Sequence, residues 1–167
     1  MTMDILPTIA RLVDAQLPSH KIDGKDIWPL ISAQAGAKSL HEAYFFYWGR
    51  ELQAVRMGKW KLHFPHGYPT LGGRPGGTGG TPAKYEQAKV PLSLFDLEKD
   101  VGETTNVVDQ HPQIVAKIKE LADRMRADLG DSATKQPGTG AREPGRLEPG
   151  DLRFNWKPGQ PIQIEAQ

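Results

Sequence analysis

The sequence predicts an α+β fold in which about four antiparallel β-strands pack against one long C-terminal helix. Three observations support this prediction. Strand-like segments follow one another between residues 43 and 64, and another follows a glycine-rich stretch. An apolar stripe at helical spacing then closes the region. With 167 residues, of which 38% are hydrophobic, the chain suits one domain with a modest core.

Charge and cysteine content exclude several functional classes. The 21 basic and 20 acidic residues nearly balance, which argues against a nucleic-acid partner because such binding needs a basic face. No cysteine is present, which rules out disulfides, thiolate metal sites and cysteine nucleophiles. Neither an apolar run long enough to span a membrane nor a signal-peptide pattern is found, so no membrane association is predicted.

Two short helices are predicted at the start of the chain. Asp4 is expected to cap the first helix, with Pro7 in its first turn and Pro18 as its end. A second helix is expected between Asp26 as its cap and Gly36 as its stop. The first helix carries an apolar stripe that is predicted to pack against another surface: Ile5, Leu6, Ile9, Leu12 and Val13.

Three strands are predicted next, over residues 43–48, 52–56 and 59–64, with a tight turn at Met57-Gly58. The aromatic run in the first strand favours a core strand over a carbohydrate-stacking platform. Alternation in the third strand separates two faces. The face predicted to lie in the core carries Trp60, Leu62 and Phe64, and the polar or pocket-lining face carries Lys59, Lys61 and His63.

Residues 65–91 are rich in glycine and proline and have little to bury, so this stretch is predicted to be a functional or disordered loop. Its Gly76–Gly80 run lacks the Lys-Ser/Thr of a phosphate-binding loop. A fourth strand is predicted over residues 92–97, followed by a charged turn. In that turn the acidic residues lack calcium-loop spacing: Asp96, Glu98 and Asp100.

The last predicted helix runs from Pro112 to Gly130. Its apolar stripe comprises Ile114, Ile118, Leu121, Met125 and Leu129. Asn106, in the turn before it, suits local backbone bonding. Residues 131–167 form a Pro/Gly-rich extended tail in this interpretation, in which Leu152–Trp156 forms a short strand or a docking segment.

Four segments, in order, resemble the C-terminal part of type I sulfatases of the arylsulfatase A kind: DILPTIARL, DGKDIWPLI, AVRMGKWKLHF and LFDLEKDVGETTNV. The resemblance implies a small domain with a four-stranded antiparallel sheet and a helix, packed on a large alkaline-phosphatase-like α/β domain. Residues 1–36 would then be the last helical segment of that catalytic domain. Residues 40–130 would be the small domain, and 131–167 the tail.

In that family the nucleophile is a formylglycine made within a Cys/Ser-x-Pro-Ser-Arg motif, and calcium polarises the sulfate. Here no cysteine occurs, and Pro18-Ser19 is followed by His20 rather than arginine. We therefore assign no catalytic residue and no metal ligand in this chain. The formylglycine and the calcium ligands are expected upstream of Met1, and the isolated chain is expected to lack sulfatase activity.

The resemblance also implies candidate substrate-binding residues, because the loop after the third strand faces the active-site mouth in that family. His66, and less strongly His63, is predicted to contact the sulfate or the leaving group. The alternative is a strand-end histidine with a structural hydrogen bond. Lys59 and Lys61 are interpreted as a solvated strand face, with sulfate binding as the alternative, and Arg56 is expected to pair with a nearby carboxylate such as Glu98 or Asp100.

The predicted function is that of a sulfatase C-terminal part, which completes the fold and the rim of the substrate pocket. Its partner would be an upstream catalytic domain, from the same gene or as a split piece, and the intact enzyme would act on a sulfated small molecule or glycan. The family makes a periplasmic or secreted location plausible. A stand-alone binding module using loop 65–91 is the alternative, and an independent histidine-based enzyme lacks a visible triad.

Overall fold

The structure is a computed structural model that describes residues 1–142, 153–155 and 163–165. The α-helices are α1 (Ile5–Leu12), α2 (Trp28–Ile31) and α3 (Pro112–Leu129). The principal strands are β1 (Tyr44–Trp48), β2 (Glu51–Met57), β3 (Trp60–His63), β4 (His66–Thr70), β5 (Glu86–Val90) and β6 (Ser93–Asp96). Short strand pairs follow: β7 (Gly130–Asp131), β8 (Gln136–Pro137), β9 (Arg153–Asn155) and β10 (Gln163–Glu165).

The main sheet has four antiparallel strands in the order β1-β2-β3-β6, which confirms the predicted α+β class. The β2–β3 hairpin closes with Met57 opposite Trp60, so its turn residues are Gly58 and Lys59. Gly58 has φ of +58°, which glycine adopts without steric cost. The predicted turn at Met57-Gly58 was therefore one residue early.

The core lies between this sheet and α3. From the sheet it takes Leu52, Val55, Leu62, Phe64 and Leu94, and from the helix Val115, Ile118, Leu121 and Ala122. The predicted apolar face of β3 is thus confirmed at Leu62 and Phe64. The helix stripe is confirmed at Ile118 and Leu121, but Leu129, at the last helical position, is exposed. No helix in the described part of the chain is both long and apolar enough to cross a membrane.

The glycine-rich stretch contains a hairpin that the sequence did not reveal. Strands β4 and β5 pair from His66 opposite Val90 to Thr70 opposite Glu86. They continue the β3–β6 pair, in which His63 lies opposite Ser93, as an arm beyond the main sheet. The prediction of a loop over residues 65–91 was wrong at both its ends, because a strand such as HGYPT has neither apolar alternation nor high β-propensity.

Helix α1 is shorter than predicted, since it ends at Leu12 rather than near Pro18. Its apolar stripe lies uncovered by the described part of the chain, with exposed fractions of 49–66% from Ile5 to Val13. The α2 helix also stops early, at Ile31 rather than near Gly36. The predicted cap of α2 was one residue early, because the N-cap is Ile27, although Asp26 Oδ1 accepts a hydrogen bond from the Trp28 N–H at 2.9 Å just before the helix.

Asp4 does not cap α1 with its side chain, contrary to the prediction. The carboxylate is fully buried, and its Oδ1 accepts hydrogen bonds from the Lys25 N–H at 2.8 Å and from His41 Nε2 at 2.7 Å. Desolvation raises the pKa of Asp4, but these bonds and the one from the Met1 amino group outweigh it and lower the pKa to about 2. Asp4 therefore fastens α1 to residues 25 and 41.

The chain folds back on α3 after the helix ends. Gly130, with φ of +83°, ends the helix as predicted. Asp131 is buried and accepts a hydrogen bond from Arg126 Nε at 2.8 Å. Further along, the Thr139 N–H donates to the Ala127 carbonyl at 3.0 Å. Within the predicted segment 152–156, residues 153–155 form β9, which pairs antiparallel with β10, and residues 152 and 156 lie outside the described residues.

Candidate functional site

Four polar side chains meet where β3 passes into the β4–β5 arm, and we call them the histidine cluster: Lys61, His63, His66 and Glu103. Strand alternation places Lys61 and His63 on the face of β3 opposite to Leu62. Glu103 reaches them from the turn that follows β6, which is the neighbour of β3 in the sheet. The cluster therefore depends on the pairing of β3 with β6.

Glu103 binds both residues of β3. Its Oε1 accepts a hydrogen bond from Lys61 Nζ at 2.6 Å, and its Oε2 accepts one from His63 Nε2 at 2.7 Å. Burial raises the pKa of Glu103, but the hydrogen bond and charge of Lys61, together with His63, outweigh burial and leave the pKa below its usual range. Glu103 is therefore a carboxylate at neutral pH.

The turn holds Glu103 in an uncommon backbone conformation, with φ of +55°. The carboxylate of Asp100 stabilises this turn, because its Oδ2 accepts hydrogen bonds from the N–H groups of Thr104 at 2.8 Å and Thr105 at 2.7 Å. Asn106 bonds locally as predicted, since its Oδ1 accepts a hydrogen bond from the Val108 N–H at 3.0 Å, and it also accepts one from the Leu94 N–H in β6 at 2.9 Å. The turn therefore positions the Glu103 carboxylate next to Lys61 and His63 of β3.

His63 is held neutral in one tautomer. Burial lowers its pKa, and the positive charge of Lys61 lowers it further against the opposing effect of Glu103. Because an ionised carboxylate can only accept, His63 Nε2 carries the hydrogen and Nδ1 carries the lone pair. That Nδ1 atom is buried and has no hydrogen-bond partner among the described residues.

His66 stacks on His63, with ring centroids 5.5 Å apart and an interplanar angle of 16°. Its Nδ1 donates to the Phe64 carbonyl oxygen at 2.7 Å, which fixes the ring. Its Nε2 makes no hydrogen bond to any residue that the structure describes. The two interpretations of this histidine, structural and substrate-binding, therefore use different nitrogens of the same ring.

Lys59 and Lys61 are paired with carboxylates rather than solvated, contrary to the prediction. Lys61 is only 16% exposed, and its Nζ lies 4.8 Å from the centroid of the Phe46 ring. Lys59 Nζ lies 2.9 Å from Asp96 Oδ2 and 3.4 Å from Glu98 Oε2. The positive charge of Lys59 therefore offsets the negative charges of Asp96 and Glu98.

Arg56 was predicted to pair with Glu98 or Asp100, and this prediction was wrong. Its Nε donates instead to the Gly58 carbonyl at 3.0 Å. Strand β2 is separated from β6 by β3, so the acids after β6 are reached by a residue next to β3, Lys59. The aromatic run in β1 is partly in the core, through Phe45 and Tyr47, while Tyr44 and Trp48 are exposed.

Sequence reasoning did not single out Glu103 as a site residue, and it missed the bonds of this residue to Lys61 and His63. The signal that could have found it is the antiparallel pairing of β3 with the strand before the turn. That pairing brings an acid after β6 close to the basic residues of β3. His63 and His66, by contrast, were chosen from the sequence, and the structure brings them together.

The comparison with known proteins identifies the class of this chain. The family described as the C-terminal region of aryl-sulfatase matches residues 39–143. Human arylsulfatase A is 34% identical over 154 residues, covering 84% of this chain and 29% of that protein. Mouse steryl-sulfatase is 35% identical over 142 residues, covering 76% of this chain and 22% of that protein. The chain is therefore a sulfatase C-terminal region.

More particularly, the chain belongs to the family of aryl-sulfatase C-terminal regions. It spans less than a third of the length of these curated relatives. A solved chain from work on the metabolism of multiple glycosaminoglycans by Bacteroides thetaiotaomicron also matches, with a TM-score of 0.48 and 20% identity, covering 74% of this chain and 24% of that one.

Calcium and formylglycine, which the family implies for an intact enzyme, do not fit the residues of this chain. The sequence has no cysteine, and it has no Pro-Ser-Arg to follow a serine in the Cys/Ser-x-Pro-Ser-Arg motif. Residues 1–142, which include the whole sheet and α3, contain no group of three His, Asp or Glu side chains that could hold a metal ion. No step of the chemistry is therefore assigned to either group here.

Proposed function

We propose that this chain serves a sulfuric ester hydrolase as its C-terminal part, where it completes the fold and forms part of the rim of the substrate pocket. The observation that carries the proposal is the histidine cluster at the end of the inner strand β3, in a chain that belongs to the family of aryl-sulfatase C-terminal regions. Within the cluster, His66 offers one free ring nitrogen, and its other nitrogen is bonded to the backbone.

The partner in this proposal is an upstream sulfatase catalytic region, which would supply the nucleophile and the metal. The exposed apolar stripe on α1 supports an association with such a catalytic region, because exposed apolar patches commonly mark surfaces that bind another protein surface. Residues 1–36 would belong to the last helical segment of that region, residues 40–130 to the small domain, and 131–167 to the tail.

His66 would act on the sulfate as a charged donor. Since its Nδ1–H is committed to the Phe64 carbonyl, Nε2 can donate only when the imidazole is protonated. His63 stays neutral, bonded to Glu103, and supports the His66 ring by stacking. His63 itself would line the pocket behind His66.

The test is a comparison of His66→Ala with a matched control, His20→Ala, in the protein that joins this chain to its catalytic region. His20 is an exposed histidine outside the cluster. Loss of one hydrogen bond to a charged group predicts that His66→Ala lowers kcat/KM for an aryl sulfate by about ten- to a hundredfold. Equal activity of the two variants would show that His66 does not contact the substrate.

The alternative is the stand-alone binding module that uses residues 65–91. Specific binding of a ligand by the isolated chain through the β4–β5 arm, in a protein without an associated catalytic region, would favour that function instead.

A further inference from the structure

We propose that Tyr68 is a specificity-determining residue that stacks against the ring of a ring-bearing sulfate ester. This inference rests on the proposed function of the histidine cluster, since it needs the sulfate to meet His66. It extends that function to the part of the substrate beyond the sulfate. The kind of ligand is defined by its chemistry: an alcohol with a flat apolar ring face, either an aryl group or a sugar.

The β4–β5 arm places Tyr68 beside His66. Along a strand, alternate residues share a face, so His66, Tyr68 and Thr70 line one side of β4. In the register of the arm, Tyr68 lies opposite Ala88, whose methyl group covers little of a tyrosine ring. Tyr68 accordingly remains 41% exposed, although its strand is paired.

Four rings form a continuous row from the core to Tyr68. Phe95 meets His63 edge-on with centroids 5.7 Å apart, and His63 stacks on His66 at 5.5 Å. His66 then meets the ring of Tyr68 at 6.5 Å and 62°. Each ring contacts the one before it, so the Tyr68 ring lies at the end of the row, next to the His66 ring.

This spacing suits one substrate ring. Residues two apart on a strand lie roughly 7 Å from each other, which is comparable to a hydrogen bond of about 2.9 Å from Nε2 to a sulfate oxygen plus the bonds from that oxygen through sulfur and the ester oxygen to the ring. A ligand whose sulfate reaches His66 can therefore place its ring next to Tyr68. Aromatic faces attract flat apolar groups in offset or edge-on arrangements, whereas a flexible alkyl chain offers no such face.

The test uses the protein that joins this chain to its catalytic region, with three variants. Tyr68→Thr removes the ring and keeps a residue that strands favour, and Tyr68→Phe keeps the ring without the hydroxyl. Tyr85→Thr is the matched control, because Tyr85 is also exposed and lies in the same excursion, just before β5. The probes are an aryl sulfate and a sulfated monosaccharide as substrates and an n-alkyl sulfate as a competitive inhibitor.

Tyr68→Thr is expected to lower kcat/KM by about three- to tenfold for at least one ring-bearing ester, with the inhibition constant of the alkyl sulfate unchanged. A loss for the aryl sulfate alone or for the monosaccharide alone identifies the ring. Tyr85→Thr should behave as the unchanged protein does, and Tyr68→Phe, which keeps the ring, should retain more of kcat/KM than Tyr68→Thr.

Two results would overturn the inference alone: no change for either ester in an active protein, or an equal change for the alkyl sulfate. A parent protein that hydrolyses none of the esters would overturn the proposed function together with this inference. The two failures are therefore distinguishable, since the first occurs in an active enzyme and the second does not.

Discussion

Glu103 and His63 lie 40 residues apart in the chain, yet Oε2 of Glu103 lies 2.7 Å from Nε2 of His63. The same carboxylate binds Lys61 Nζ at 2.6 Å through its other oxygen. One acid from a turn therefore fixes two basic side chains of the neighbouring strand. This relationship sets the charge of the cluster and the tautomer of the histidine on which His66 stacks.

Replacement of Glu103 by glutamine should destabilise the isolated chain. The variant leaves Lys61, which is mostly buried, without its anionic partner, so we expect the free energy of unfolding to fall by about 1–3 kcal/mol at pH 7. Urea denaturation measures the change. The control is Glu98→Gln, because the Glu98 side chain is exposed and its pair with Lys59 should contribute less than about 1 kcal/mol. Similar losses in both variants would contradict a special role for Glu103.

Stability should fall as the solution is acidified from pH 7, because of His63. Its pKa in the folded chain lies below the unfolded value of 6.5, owing first to burial, so the unfolded state binds the proton more tightly. The contribution of His63 is therefore complete above about pH 6.5 and is lost as pH falls through the folded pKa. The free energy of unfolding, measured between pH 5 and 8, should depend less on pH in His63→Gln than in the parent. Parallel pH dependences would contradict this.

The exposed stripe of α1 should matter only when the catalytic region is present. In the isolated chain, Ile9→Lys should change the free energy of unfolding by less than about 0.5 kcal/mol and raise solubility, because Ile9 is exposed. In the joined protein the same change should lower the melting temperature, since it would place a charge in a buried interface. A loss of stability in the isolated chain would instead show that α1 is covered by its own chain.

The β2–β3 turn depends on glycine at one position. Gly58→Ala should cost about 1 kcal/mol of folding free energy, because φ of +58° is strained for alanine. Gly76→Ala is the matched control, since the site has open space around the added methyl group and φ outside the left-handed region. Thermal unfolding compares the two. Equal melting temperatures would mean that the turn relaxes without cost.

The local patterns of the sequence predicted the main sheet and α3 well. Pro112 and Gly130 mark the ends of α3 because each has a specific backbone role at a helix terminus. Alternation in β3 predicted which side chains enter the core. The choice of His63 and His66 came from the resemblance to sulfatases, and their role in substrate binding stays a prediction, as do the boundaries of the three segments.

The missed features share one cause, which is partners that lie far apart in the chain. Asp4 reads as a helix cap until Lys25 and His41, 21 and 37 residues away, are brought to its carboxylate. Glu103 reads as a turn residue until β6 pairs with β3. The β4–β5 arm was not predicted because its strands pair through backbone hydrogen bonds, and its glycine and proline residues carry no side-chain pattern that indicates a strand.

The central claim, that this chain contributes to sulfate-ester hydrolysis only beside a catalytic region, is tested most directly by one turnover measurement. Calcium-dependent hydrolysis of an aryl sulfate is measured for the purified chain, for a catalytic region with a Cys/Ser-x-Pro-Ser-Arg motif, and for the two joined. We predict turnover by the joined protein and none by the chain alone, which has no cysteine for that motif and no Pro-Ser-Arg. Calcium-dependent turnover by the purified chain alone would contradict the claim.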